Sequence, residues 1–91
     1  MLAAETREAL DAFINQTVEF KIYDGADQVP PVPVQKLVYK IEYCPDKTHI
    51  RLFFDDFFFI AIPLASQFSI ADGQIDAFDT ENHLSYSIKK L

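Results

Sequence analysis

Cys44, Asp46 and His49 are the residues whose types and spacing come closest to a catalytic set. A thiol nucleophile needs an imidazole within hydrogen-bond reach and a third group to orient the ring. The segment CPDKT reads as a turn, with Pro45 and Asp46 in favoured turn roles, and a hairpin there would place Cys44 opposite His49. No glycine loop of the oxyanion-binding kind accompanies them. A lone cysteine is usually a small buried hydrophobe, and a histidine at a strand start is usually on the surface. The sequence therefore assigns no catalytic residue and leads us to expect a protein that is not an enzyme.

Acidic residues offer the next chemistry. Asp55 and Asp56 are adjacent, and neighbouring strand residues point to opposite faces, so the two carboxylates would cooperate only in a turn with further oxygens nearby. The stretch DGQIDAFDTE, Asp72 to Glu81, invites a calcium-loop reading. Such a loop needs Gly at its sixth position and Glu at its twelfth, where this chain has Ala77 and His83. No metal and no cofactor is expected. Pro30 and Pro33 satisfy the bare PxxP pattern of peptides that dock in aromatic grooves, but no arginine flanks them and a stiff connection explains them equally. Phosphate-binding glycine loops, Ser-His-Asp sets and zinc spacings are absent from the sequence.

Composition narrows the partners. The formal charge of −6 repels nucleic acid and anionic membrane surfaces, and the basic residues are scattered apart from Lys89-Lys90. The single cysteine permits no intrachain disulfide, which fits a reducing compartment. The N-terminus MLAAETREAL lacks the pattern of a signal peptide, and no apolar run reaches the roughly 18–20 residues that cross a bilayer. These features lead to an expected cytoplasmic location.

The elements follow from periodicity. Residues 2–16 read as a helix with Leu10, Phe13 and Ile14 on one face and Asn15 able to close it. TVEFKIY, KLVYKIEY, HIRLFF and HLSYSIKKL alternate as half-buried strands, with a further turn at Asp72-Gly73. Asp55-Asp56 is read as a two-residue hairpin loop between HIRLFF and FFFIAIPL. The expected architecture is α+β: one domain over residues 1–91, with an N-terminal helix packed on a five- to six-stranded antiparallel meander (17–91), strongly curved or partly closed into a small barrel.

FFFIAI breaks the alternation. Phe57, Phe59 and Ala61 would point one way and Phe58, Ile60 and Ile62 the other, so both faces need cover. Leaving Phe58, Ile60 and Ile62 in water would forgo about 5–8 kcal/mol, against a net stability of about 5–15 kcal/mol for a whole domain. One short helix cannot also cover the outer residues Phe53, Val38 and Tyr23. Phe53, Phe58, Ile60 and Ile62 are thus the expected contact residues of a small protein-interaction domain, with a second copy of the chain (a homodimer) or another protein as partner. The alternative is a small barrel whose many aromatics line an interior site for an apolar or aromatic ligand.

Overall fold

The computed structural model describes residues 2–24 and 33–91. Gly25 and most of the proline-rich connection, Pro30 included, lie outside the described residues. Helix α1 (Ala4–Asp11) is followed by eight strands: β1 (Gln16–Asp24), β2 (Val34–Val38), β3 (Lys40–Tyr43), β4 (His49–Phe53), β5 (Phe59–Pro63), β6 (Gln67–Ala71), β7 (Gln74–Asp79) and β8 (Leu84–Lys90). The class is α+β with antiparallel pairing, as expected. The strands divide, however, into a five-stranded sheet of order β2-β1-β8-β7-β6 and a three-stranded sheet of order β3-β4-β5, where one sheet was expected.

The helix is shorter than residues 2–16. Its N-cap, Ala3, offers no side-chain acceptor, and its last turn tightens as Phe13 N–H donates to the Leu10 carbonyl and Ile14 N–H to that of Asp11. Asn15 then takes a left-handed φ of 66° and sends its N–H to the Val38 carbonyl, ending the helix against β2. This tight exit delivers Leu10 and Phe13 to the core, where both are buried.

The core lies between the sheets. Val18 and Phe20 of β1, Val38, Ile41, Ile50 and Leu52, Ile62, Ile75, Ala77, Tyr86 and Ile88 meet Leu10 and Phe13 in one cluster. Burial of Tyr86, with the Asp79 carboxylate adding to it, raises its phenol above the ordinary value. Asp72 and Gly73 both have positive φ and form the two-residue turn between β6 and β7.

The alternation of KLVYKIEY does not run unbroken. Val38 faces the core while Leu37 is exposed, and Ile41 is buried beyond the break. Tyr39 stands between β2 and β3, its N–H donating to Phe53 in the three-stranded sheet. The chain changes sheets at that residue, and the side-chain phase resets with it.

Candidate interaction surface

The β4–β5 hairpin presents the most unusual surface. Phe54 N–H donates to the Phe58 carbonyl at 2.9 Å, so the tip is Asp55-Asp56-Phe57 rather than Asp55-Asp56 alone. Asp55 organises it: one carboxylate oxygen accepts the N–H groups of Phe57 at 2.7 Å and Phe58 at 2.8 Å. This is the local side chain-to-backbone bonding that fits aspartate to turns. Asp56 accepts a hydrogen bond of 2.6 Å from the Tyr39 hydroxyl, whose pKa the neighbouring carboxylate raises. Both aspartates are therefore occupied in fixing the hairpin.

Adding Phe57 to the tip decides what becomes wet. Phe57 is 84% exposed, Phe58 68% and Phe59 41%. The strand proper does turn its other face inward: Ile62 is fully buried and Ile60 packs against the core. The four expected contact residues thus separate. Phe58 is on the surface and Ile60 is half-buried, whereas Ile62 lies in the core and Phe53 is covered by neighbours of its own subunit. Pro33 is exposed just before β2.

Phe53 is covered on the outer face of its sheet by its own neighbours. The Phe59 ring lies 5.0 Å away and Tyr39 meets it edge-on at 6.5 Å. Lys40 Nζ sits 4.5 Å above the Phe53 ring, and the Arg51 guanidinium 4.7 Å above that of Phe59. Cations over ring faces are attracted by the ring quadrupole while their stems shield it from water. Sequence reasoning missed this stack. Cross-strand register places Lys40, Phe53 and Phe59 side by side, but only once the hairpin tip is fixed.

Behind the tip, a groove of about 250 Å³ is lined by Phe20, Ile22, Val34, Lys36, Phe54 and Ile60. A second of about 360 Å³, lined by Lys36, Phe54, Asp55, Phe58 and Phe59, shares Lys36 and Phe54 with it. Apolar exposure therefore continues from the tip toward β1 and β2.

The edges of the three-stranded sheet differ. On β3, the Arg7 side chain donates to the Ile41 carbonyl at 3.2 Å, and its guanidinium lies 4.9 Å from the Tyr43 ring centre. On β5 the ladder bonds to β4 run through even-numbered residues, since Phe54 N–H meets Phe58 and Leu64 N–H meets Thr48 in one continuous register. Phe59, Ala61 and Pro63 therefore turn their backbone groups away from β4. That edge carries no charged side chain.

The Cys44 region forms a separate hollow of about 410 Å³, bounded also by Asp46, Thr48, His49, Arg51 and Phe59. The turn does bring Cys44 and His49 together, but the contact is from the His49 backbone N–H to Sγ at 3.2 Å. The thiol itself donates to Asp46 Oδ1 at 2.7 Å. Thr48 Oγ1 donates to the same oxygen at 2.8 Å, which leaves it to accept from His49 Nδ1, also at 2.8 Å. Protons thus point at the carboxylate, the reverse of a thiol surrendering its proton to an imidazole. Hydrogen bonds from Cys44 and then Thr48 hold Asp46 at a pKa of about 2, below the ordinary 3.8.

An acid-stability test follows. In the unfolded chain Asp46 binds a proton near 3.8, and in the folded chain near 2. Its contribution is complete above the first value and lost as pH falls through the second. Melting temperatures measured from pH 5 down to about pH 2 should fall more steeply for the wild type than for Asp46→Asn. Parallel curves would mean that the turn network adds nothing.

In the acidic stretch, Asp79 accepts the backbone N–H groups of Glu81 and Asn82 and the Asn82 side-chain amide, and the Asn82 bond leads the causes that lower its pKa. It fixes the β7–β8 turn. Among the described residues no group of three His, Cys, Asp or Glu side chains could hold a metal ion, and no helix is long and apolar enough to cross a membrane. Compared with protein-family models, with curated proteins and with solved structures, the chain gives no significant match in any of the three.

Proposed function

We propose that this chain is a small, non-enzymatic interaction domain that associates with a second copy of itself through the β4–β5 hairpin and β5. One observation carries the reading: three consecutive phenylalanines, Phe57 to Phe59, stand exposed on a hairpin that two aspartates hold in place. Scattered apolar residues on a surface are ordinary, whereas a contiguous aromatic patch beside an open strand edge marks a contact site. Aromatics anchored on a fixed frame are the usual energetic centre of an interface. The acidic surface and the free thiol of Cys44 fit a protein partner in a reducing, cytoplasmic setting, with neither nucleic acid nor membrane involved.

The two sheets also read as one curved wall. β2 passes into β3 through Tyr39, β5 leads into β6 after three residues, and β8 pairs back onto β1. Six antiparallel segments in sequence order, the last beside the first, support a meander partly closed into a barrel around the core.

The groove of about 250 Å³ with Phe20, Ile22, Val34, Phe54 and Ile60 in its walls favours a second reading, an apolar or aromatic small-molecule ligand. Native mass spectrometry detecting a copurified ligand on the monomer would promote it. Sedimentation equilibrium tests the first reading. The expected mass rises from 10.4 kDa toward twice that value with concentration. A mass of 10.4 kDa up to about 1 mM, where binding free energy is only about 4 kcal/mol, would refute it.

A further inference from the structure

We infer that the second copy docks by an exchange of hairpin tips: Phe57 of each copy enters the apolar groove of the other, and the aspartates beside it meet Lys36 in the groove wall. This rests on the self-association proposed above and names its contact.

The inserting part is the tip. Phe57 is 84% exposed and lines neither groove, whereas Phe58 and Phe59 are walls of the second and Phe54 is a wall of both. The ring projects instead of filling space in its own subunit. Asp55 fixes its backbone through the Phe57 and Phe58 N–H groups, so little ordering remains to be done on binding. Asp55 and Asp56 make these turn bonds through Oδ1, which leaves Oδ2 of each without a bonded partner among the described residues.

The receiving part is the groove of about 250 Å³, with Phe20, Ile22, Val34, Phe54 and Ile60 in its walls and Lys36 supplying its charge. An apolar cavity of about 150 Å³ accepts a benzene ring, so one phenyl group fits. Lys36 alternates with Val34 and the buried Val38, which puts it on the core-facing side of β2. No carboxylate among the described residues forms an ion pair with it. Such a lysine on an edge strand deters strand addition, so contact at this face is made through side chains.

A second copy is the occupant because one surface carries both parts. Lys36 and Phe54 line both grooves, and the second groove reaches Asp55 and Phe58 at the tip. Tip and groove are thus neighbours on one face, as a two-fold contact requires, since each copy then inserts what it also receives. The charges match as well: a ring beside two carboxylates meets an apolar slot beside an unpaired ammonium. A chain of charge −6 repels its own kind in most orientations, and the approach of the acidic tip to Lys36 is one that attracts. Phe58, between tip and groove, is covered as the tips cross.

A charge exchange tests the contact. Lys36→Glu sets a carboxylate against the aspartates of the second tip, and Asp56→Lys sets two ammonium groups against each other. Each variant alone should dimerise about tenfold more weakly by sedimentation. In an equimolar mixture every tip again meets an opposite charge, and dimers of one copy of each should form about as tightly as the wild type. Phe57→Ala should weaken dimerisation by about 100-fold, because the two-fold axis counts the lost ring twice. Its circular dichroism and urea midpoint should match those of the wild type, the ring being exposed in the subunit. A mixture that dimerises no better than its components, or a Phe57→Ala dimer as tight as the wild type, overturns the exchange of tips and leaves self-association standing. A wild type that stays monomeric overturns both.

Discussion

Replacing Phe58 with aspartate is expected to abolish self-association while leaving the subunit folded. The ring is 68% exposed in the isolated chain, so its loss should change subunit stability by no more than about 0.5 kcal/mol. In the proposed complex it would be buried, and a central aromatic there is worth about 2 kcal/mol or more, to which the substitution adds an unpaired carboxylate. The dissociation constant should rise by at least about 30-fold. Sedimentation at matched concentrations reads the effect, and urea unfolding supplies the control. A variant that dimerises as well as the wild type would place the contact elsewhere. A variant that unfolds would mean that Phe58 supports the subunit.

Ile62→Ala, four residues along, should do the opposite. Ile62 is fully buried, facing Ile50 across the ladder and contributing to the cluster that holds Leu10, Phe13 and Ile88. Truncating such a side chain removes transfer energy and leaves a cavity, at a cost of about 2–5 kcal/mol. A domain of this size has only about 5–15 kcal/mol to lose. The urea midpoint should therefore drop sharply, with no further weakening of association under conditions where the variant is still folded. A small loss of stability would mean that the sheets do not close over β5 as described. The two variants thus separate folding, read at Ile62, from the proposed contact, read at Phe58.

Much of this was legible in the sequence because it depends on local periodicity. Leu10 and Phe13 mark the buried face of the N-terminal segment, Asn15 its left-handed exit, and Asp72-Gly73 a hairpin whose two residues both take positive φ. The inward set Ile50, Leu52 and Ile62 also follows from alternation. What alternation cannot register is a point where the chain leaves one sheet for another. At Tyr39 the pattern slips by one residue, so Val38 is inside and Leu37 outside, and one long strand becomes β2 and β3.

The candidate interaction surface was visible only in outline. FFFIAI does demand cover on both faces, and Ile60 and Ile62 find it within the subunit. Phe53 finds it too, from Lys40, Tyr39 and Phe59, a solution written in cross-strand register rather than in any one segment. The hairpin tip shows the same dependence. A two-residue loop and a three-residue loop differ by one phenylalanine, and the Asp55 bonds to Phe57 and Phe58 settle the choice. Neither the edge parity of β5 nor the protection of β3 by Arg7 has a signature in composition or spacing, since both arise from long-range pairing.

The exposed aromatic hairpin as the contact surface is tested most directly by a residue-resolved dilution series of the wild type, followed by nuclear magnetic resonance. Concentration-dependent shifts and broadening are expected at Phe57 to Pro63 and at the adjoining Tyr39 and Arg51, with β7 and β8 unmoved. Spectra independent of concentration, or changes confined to the far sheet, would contradict it.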